Sequence, residues 1–412
     1  MMEKRRAVLY NASLKYERFF YIFMHFGFRY FSSEAVLPGH PDKIADQISD
    51  LVLDTYLQKD PSSRVAAETM VTPDKIIVAG EVYAPEVTAA ELEEKIRLFL
   101  KNIGYEKHLL DWESLEIVNL LHEQSPEISA GLRRSAKLGA GDQGIMFGYA
   151  TDETSVGMPA PVYYAREIVR VVRENPLFGP DGKSQITLEY DCYGRPVDVA
   201  NVIVSVQHPA GMSTKDVRNI LLEKIISALP KDWSLSADKV IINPAGPFTI
   251  GGPKGDCGLT GRKIVADTYG GMVPNGGGAF SGKDATKVDR SAAYLARYIA
   301  KNIVFSGAAS KCVVQLCYAI GMDAPLSAQI SIPGVTTHEK EQILSLVSDR
   351  VDFSPLGISM LLHLDRPIYL KTSLMGHFGH SYSPMDMSFK WEDLDLVPVI
   401  QERLKKVKEE VS

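Results

Sequence analysis

A succession of helix, strand, strand, helix and strand recurs three times along the 412 residues and limits the folds that the chain can adopt. The first run predicts a helix from residue 43, strands at 64–71 and 75–83, a helix from 89 and a strand near 115–121. The second predicts a helix near 161–174, a hairpin of 185–191 and 197–206, a helix from 214 and a strand at 239–242. The third predicts a helix at 287–304, strands at 311–319 and 328–332, a helix from 337 and a strand near 367–372. Each run forms a mostly antiparallel sheet with helices on one face, so we expect an α+β fold of three similar sheet-plus-helix units related by pseudo-threefold symmetry.

The positions of the runs also divide the chain. We expect an N-terminal unit at 30–128, a central unit at 139–250, a C-terminal unit at 251–390 and a charged amphipathic surface helix at 391–412. Residues 1–29 are interpreted as a leader or extension that the fold does not need, with Met24 as an alternative first residue. Their basic, acid-poor composition also fits an organelle transit peptide. Their aromatic run FFYIFM is far shorter than the roughly 20 residues of a membrane span.

Charge and cysteine content narrow the class of protein. A net charge of -6 argues against a general nucleic-acid surface, which would need a basic stripe. The four cysteines are scattered and form no CxxC pair, so we expect reduced thiols in the cytoplasm. From the net charge and the short aromatic run we expect neither nucleic acid nor a membrane as a partner.

The stretch PGHPDKIADQISD places His40, Asp42 and Lys43 where a Gly/Pro turn becomes a helix. Pro41 suits the first helical position, and such junctions gather anions and metals. Three further aspartates follow at four-residue spacing, where like charges repel one another. We expect those three to form a solvated acidic face: Asp46, Asp50 and Asp54.

Three glycine-rich segments interrupt the runs, and packing alone does not require them. They are GAGDQGIMFGYA at 139–150, GGPKGDCGLTGRK at 251–263 and GGGAFSGKDATKVDR at 276–290. Glycines let the backbone approach a ligand closely, and neighbouring lysines supply positive charge to phosphates. The last segment nearly matches a P-loop, but Asp284 stands where a Ser or Thr should bind magnesium, and no apolar strand precedes it.

These motifs, taken in order with GHPDKIADQISD, resemble the S-adenosylmethionine synthetase (methionine adenosyltransferase) family of the bacterial type. The resemblance runs from about residue 30 to about residue 379. It implies that ATP and L-methionine give S-adenosylmethionine, and that the tripolyphosphate is released whole and then split into pyrophosphate and phosphate. Adenosyl transfer from ATP needs no strong base, because a neutral sulfur attacks C5′ and positioned cations meet the charge of the leaving group.

The resemblance also implies a role for each matching residue. The catalytic residues would be His40, Lys183 and Lys283. The ATP-binding residues would be His40, Asp181, Gly182, Lys183, Phe248, Asp256, Arg262, Lys263, Ala279 and Lys283. The methionine-binding residues would be Glu81, Gln124, Asp256, Lys283 and Lys287. Two Mg²⁺ ions per site would be held through Asp42 and Asp289, and one K⁺ ion through Glu68. Asp142 is a candidate for the wall of the site.

Further implications concern assembly and a lid. Family members place sites at dimer interfaces, so we expect a homo-oligomer, with a dimer of dimers as the usual form. Residues 124–134 match a loop that closes over the site. Two departures from the family pattern stand out, namely Pro247 in place of an arginine and MGHFGHSYSPMD where YGHFGR is usual.

Two other functions remain open on the sequence. A phosphotransferase using the near-P-loop would release ADP rather than pyrophosphate and phosphate. A non-catalytic ATP-binding regulatory subunit would be expected to lack charged site residues, whereas Asp42, Lys183 and Asp289 are present.

Overall fold

The computed structural model describes residues 29–124 and 139–411. Its strands are β1 Tyr30–Val36, β2 Arg64–Val71, β3 Lys75–Tyr83, β4 Glu116–Glu123, β5 Gly144–Thr151, β6 Gly182–Tyr190, β7 Pro196–Val206, β8 Val240–Ile242, β9 Gly258–Leu259, β10 Lys311–Tyr318 and β11 Ser327–Ser331. Its α-helices are α1 Pro41–Lys59, α2 Ala89–Ile103, α3 Ala160–Arg173, α4 Thr214–Ser227, α5 Ile264–Asp267, α6 Val288–Phe305, α7 Thr337–Ser348, α8 Pro355–Leu362 and α9 Val397–Val411.

The strands form three sheets against which the long helices pack, so the expected α+β class is confirmed. The sheet orders are β4-β3-β2-β9, β1-β6-β7-β8 and β11-β10-β5. Local signals locate several helices well. Ser213 caps α4 by accepting the Asp216 N–H, Thr88 caps α2, and Gly104 ends α2 in a left-handed conformation.

Each sheet contains a strand from another part of the chain, which the sequence did not indicate. Strand β1, just before α1, pairs antiparallel with β6 of the second sheet. Strand β5, just before α3, pairs with β10 of the third sheet, and β9, before α6, pairs with β2 of the first. The strand that leads the first run thus lies in the second sheet, the strand that leads the second run lies in the third sheet, and the strand that leads the third run lies in the first sheet. The division at residues 128, 139, 250 and 390 stays a prediction.

Two sequence expectations about the third sheet are wrong. Residues 367–372, all of which the structure describes, form turns rather than a strand. The glycine-rich segment 139–150 was expected to be unnecessary for packing, yet most of it is β5 and pairs with β10 along its whole length. A Cβ at Gly148 would lie 2.0 Å from the carbonyl carbon of Ala296 in α6. Gly148 is therefore required for the sheet to lie against the helix.

The end of the chain also differs from expectation. The last helix begins at Val397, not at residue 391, because Trp391 and Glu392 belong to a 3-10 turn buried in the core. The Trp391 ring stacks on Tyr294 with 3.8 Å between centroids. Glu392 accepts hydrogen bonds from Arg297, and its carboxylate lies 2.7 Å from Lys301 Nζ. This turn fastens the tail to α6.

Within the described residues, no helix is both long and apolar enough to cross a membrane.

Candidate active site

The residue that precedes α1 is a histidine with a fixed orientation. His40 caps the helix, and its Nδ1 accepts the backbone N–H of Asp42 at 3.2 Å. Burial, with the nearby Lys263 charge, lowers the pKa of His40 to about 4. The ring is therefore neutral at pH 7, and with Nδ1 accepting, the proton lies on Nε2. His40 can thus donate one hydrogen bond to an acceptor outside the helix.

The carboxylate of Asp42 is the centre of a group of cations. It is 1% exposed and lies 2.5 Å from Lys263 Nζ and 3.7 Å from Arg262. Burial by itself would raise the pKa of Asp42, but the hydrogen bonds from Lys263 and the Leu259 N–H outweigh it and lower the pKa. Asp42 is therefore ionised, and it holds the two cations of the GRK sequence at the helix end.

The beginning of β6 brings further predicted residues to this group. Lys183 pairs with Val36 of β1, four residues before His40, and the charge of Lys183 lowers the pKa of His40 while that of Asp256 raises it. Asp181 accepts the Gly252 N–H at 2.7 Å, and burial raises its pKa to about 6. Gly182 lies between them, and a Cβ there would meet Ser205 O at 2.7 Å. We call the set the first cluster: His40, Asp42, Asp181, Lys183, Asp256, Arg262 and Lys263.

Phe248 lies on the irregular segment between β8 and β9, beside the end of β7. Its backbone N–H donates to His208 Nε2 at 3.0 Å, and its carbonyl accepts the His208 N–H at 2.9 Å. The neighbouring Pro247, where the family pattern has arginine, is exposed. Phe248 is therefore held by its backbone.

A second cluster lies where the third glycine-rich segment enters α6. Lys283 Nζ is 2.7 Å from Asp289, and Lys287 Nζ is 2.8 Å from Asp284. The loop is held to β2, since Asp284 N–H donates to Val65 O at 3.1 Å and its carboxylate accepts the Val65 N–H at 2.7 Å. The second cluster is defined as Lys283, Asp284, Lys287 and Asp289.

Both clusters lie along one edge of β2. Strand β9 pairs with Met70 and Val71 of this strand, and the loop of Lys283 pairs with its other end at Ala66. The loops also meet, because a Cβ at Gly261 would lie 2.6 Å from Ala279 Cβ. The structure thus brings the predicted triphosphate-binding residues to one side of the first sheet.

Two of the predicted methionine ligands, Glu81 and Gln124, and the predicted potassium ligand Glu68 lie on the outer face of that sheet. The other predicted methionine ligands belong to the two clusters: Asp256, Lys283 and Lys287. Glu81 accepts a hydrogen bond from Gln124 Nε2 at 3.1 Å. Glu68 is exposed, opposite Ala79 in the register. Of the expected lid, only Gln124 is described; residues 125–134 lie outside the described part of the chain.

A shallow cleft that is open to solvent lies beside the second cluster. Its wall includes Asp289 at the start of α6, Phe280 from the glycine-rich loop and Met146 from β5. Asp142 lies just before β5 and is exposed, and its role as part of the site wall stays a prediction.

The expectation of a solvated acidic face on α1 is wrong. Asp46, Asp50 and Asp54 are 2%, 0% and 6% exposed. Together with Asp42 they form a ladder in which each carboxylate accepts a backbone N–H from a distant segment. The donors are Leu259 for Asp42, Gly261 for Asp46, Gly282 for Asp50, and Tyr369 with Leu370 for Asp54.

This ladder explains how the two cation-bearing loops are placed. Asp46 holds Gly261, next to Arg262, and Asp50 holds Gly282, next to Lys283. Four-residue spacing puts all four carboxylates on one face of α1. A carboxylate can be buried only when it has hydrogen-bond donors or a charged partner, and these donors come from segments that the spacing on α1 does not indicate.

The charged groups fit an anion whose own oxygen atoms can bind a metal ion. Among the described residues, no group of three or more His, Cys, Asp or Glu could hold a metal by itself. Asp42 and Asp289 each already face a lysine. Magnesium commonly takes one or two carboxylates together with phosphate oxygens and water, so this donor set fits a metal that arrives with a polyphosphate.

Models of S-adenosylmethionine synthetase domains match three consecutive parts of the chain. The N-terminal domain matches residues 28–126, the central domain 137–248 and the C-terminal domain 250–393.

Known proteins are similar over the same length. The S-adenosylmethionine synthase of Paramagnetospirillum magneticum is 50% identical over 385 residues, which covers 91% of this chain and 98% of the relative. That of Parvibaculum lavamentivorans is 47% identical over 384 residues, with 91% and 98% covered. A solved structure, described as an unusual S-adenosylmethionine synthetase from Campylobacter jejuni, superposes with a TM-score of 0.81 at 35% identity and covers 90% of this chain and 99% of that one.

Proposed function

The chain belongs to the S-adenosylmethionine synthetase family, and from this we propose that its two charged clusters bind the triphosphate of ATP while the outer face of the first sheet receives methionine. The protein is a methionine adenosyltransferase, which makes S-adenosylmethionine from methionine and ATP. The observation that carries the site assignment is the convergence of Lys263 with Asp42 and of Lys283 with Asp289 on one edge of β2.

The reaction joins the methionine sulfur to C5′ of ATP and breaks the bond from C5′ to the triphosphate oxygen. The sulfur supplies the electron pair and becomes a sulfonium, and the leaving oxygen keeps the pair of the broken bond. No proton moves, so the enzyme needs alignment and positive charge rather than a base. Lys183, Arg262 and Lys263 supply that charge, and His40 supplies a neutral N–H from Nε2.

Lys263 and Lys283 can each pair either with a carboxylate of the protein or with a phosphate of ATP. In the structure Lys263 contacts Asp42, and Lys283 contacts Asp289. A triphosphate would attract both ammonium groups and free the carboxylates for magnesium. Family members generally use Mg²⁺ and K⁺. When bound, Mg²⁺ would neutralise phosphate charge at Asp42 and Asp289, and K⁺ would be held at Glu68.

For the methionine, Glu81 offers a carboxylate to the amino group, and Gln124 orients it through their hydrogen bond. Asp256 and Lys287 would complete this part of the site. Lys283 would reach both substrates, since it pairs with Ala66, the residue opposite Glu81, and its Nζ lies beside Asp289. Water would then split the released tripolyphosphate, its oxygen bonding to phosphorus as the bridging P–O bond breaks to give pyrophosphate and phosphate and its proton passing to the products or solvent, and the same cations would hold the anion.

The outer face of the first sheet supports a site shared between two chains. Met70, Tyr83 and Leu120 are 36%, 40% and 55% exposed on the face that carries Glu68 and Glu81. An apolar sheet face of this kind is usually covered. A second copy would cover it and would complete the methionine side, so we propose a homodimer that pairs into a dimer of dimers. All four cysteines are free thiols, which fits the cytoplasm.

One assay tests this function against its alternatives. The purified protein, incubated with labelled methionine, ATP, Mg²⁺ and K⁺, should yield a labelled sulfonium product with pyrophosphate and phosphate. Release of ADP would instead indicate a phosphotransferase, and no turnover would indicate a regulatory subunit. The structure does not favour the phosphotransferase, because residues 270–282, all described, contain no strand ahead of the near-P-loop.

A further inference from the structure

His208 holds Phe248 at both of its backbone polar groups. The Phe248 N–H donates to His208 Nε2 at 3.0 Å, and the His208 N–H donates to the Phe248 carbonyl at 2.9 Å. The histidine is 2% exposed at the end of β7. Phe248 itself lies in a segment without regular structure, so these two bonds take the place of a sheet or helix in fixing it.

The imidazole can serve this purpose only in one tautomer. Its Nδ1 lies 3.1 Å from the carbonyl oxygen of Pro209, which can only accept. Nδ1 therefore carries the proton, and Nε2 is left as the acceptor for Phe248. Both ring nitrogens of His208 are satisfied, and both contacts are to backbone.

The residue before His208 holds a second segment of the nucleotide site. Gln207 N–H donates to the Asp181 carbonyl at 2.9 Å, and its carbonyl accepts the Gly179 N–H at 2.8 Å. A Cβ at Gly251 would lie 2.7 Å from the Gln207 amide oxygen, so that side chain is pressed against the loop after Phe248. The end of β7 thus sets the distance between Asp181 and Phe248.

We infer that His208 is a positioning residue that sets the aromatic ring of Phe248 for contact with the adenine base of ATP. The inference rests on the proposed nucleotide-binding role of Phe248. Aromatic rings bind bases by stacking, which depends on the plane of the ring and so on the backbone that carries it. Without the imidazole, only the bond from the backbone N–H of residue 208 to the Phe248 carbonyl would hold the segment, and binding would include the cost of fixing the ring.

The test separates the binding of the adenine base from the binding of the phosphates. His208→Leu should raise the KM for ATP by about fivefold to tenfold, the usual effect of losing one hydrogen bond. The inhibition constant of inorganic tripolyphosphate, which has no base, should stay the same. His208→Gln, whose amide oxygen can reach the Phe248 N–H, should restore the KM to within about twofold.

A matched variant controls for stability. Ser213→Ala removes the cap of α4 in the same part of the chain and should lower the free energy of unfolding by about 1 kcal/mol. The ATP KM of this variant should not change. If His208→Leu does not fold, His208→Asn, whose side chain is too short to reach Phe248, carries the same expectation.

A double-mutant cycle with Phe248→Ala completes the design. His208→Leu should add nothing to the KM increase of Phe248→Ala, because it acts through the missing ring. If Phe248→Ala leaves the ATP KM unchanged, the proposed role of Phe248 fails. If Phe248→Ala raises the KM but His208→Leu does not, or if His208→Leu weakens tripolyphosphate equally, the positioning inference is overturned.

Discussion

The guanidinium of Arg290 forms two parallel hydrogen bonds with the carboxylate of Asp50, at 2.7 and 3.1 Å. The side chains are 1% and 0% exposed. Asp50 also accepts the Gly282 N–H, and Arg290 donates to the Lys283 carbonyl at 3.2 Å. This buried pair therefore fixes the backbone on both sides of Lys283, although neither residue belongs to a cluster that would touch substrate.

Removing the arginine should destabilise the protein strongly. Arg290→Met leaves the Asp50 carboxylate buried without its charged partner, and we expect the free energy of unfolding to fall by about 3–5 kcal/mol. Urea unfolding followed by circular dichroism measures it. Lys371→Met, which breaks an exposed pair with Asp386, should cost less than about 1 kcal/mol. Equal losses for the two variants would contradict this account of the pair.

Lys283 should matter for turnover rather than for folding. Lys283→Met removes a cation near the leaving group, and we expect kcat to fall by about 10²- to 10³-fold, with the unfolding midpoint unchanged. Steady-state kinetics and thermal melting measure the two quantities. Lys254→Met is the control, because Lys254 is exposed and its ammonium donates a hydrogen bond to the His108 carbonyl, away from both clusters. Unchanged kinetics for Lys283→Met would remove it from the site.

Asp289 should determine the response to magnesium. Asp289→Asn keeps the shape of the side chain but lowers its charge, so the Mg²⁺ concentration for half-maximal activity should rise about tenfold, which corresponds to about 1.4 kcal/mol. A magnesium titration at saturating ATP measures it. Asp349→Asn, at an exposed position, should leave the curve in place. A curve for Asp289→Asn that overlays the unmodified enzyme would rule out the ligand role.

His380, in the divergent MGHFGHSYSPMD segment, should make stability depend on pH. Its ring stacks on Phe389, and burial, with the Arg166 charge nearby, lowers its pKa to about 4. The unfolded chain binds a proton at about pH 6.5, before the folded protein does. Stability is therefore present above pH 6.5 and is lost as the pH falls towards 4.

A comparison of the unmodified protein with His380→Gln isolates the contribution of His380 to the pH dependence of stability. Between pH 7 and pH 5 the unmodified protein should lose about 2 kcal/mol more unfolding free energy than His380→Gln, whose side chain does not titrate. Denaturant unfolding at both pH values measures the difference. Parallel losses in the two proteins would show that His380 does not titrate as its burial indicates.

The sequence by itself determined the local elements and the family. The alternation at 64–71 and 75–83 gave strands β2 and β3 at the predicted bounds, and Ser213 located the start of α4. These signals lie within a few residues of one another, so they can be read in a single sequence. The motifs around His40, Lys263 and Lys283 likewise indicated polyphosphate chemistry, because the residue types themselves carry it.

Only the tertiary structure decided which segments meet. Asp50 was expected to face solvent, yet it binds Gly282 and Arg290, which lie more than two hundred residues away. The glycines of the segment 139–150 indicate close approach to a ligand, yet most of this segment is β5, which pairs with β10. A carboxylate has the same local pattern whether water or a distant backbone N–H satisfies it, and a strand has the same alternation whichever sheet it joins. Such choices are made by the packing of the whole chain, and no short stretch of sequence records them.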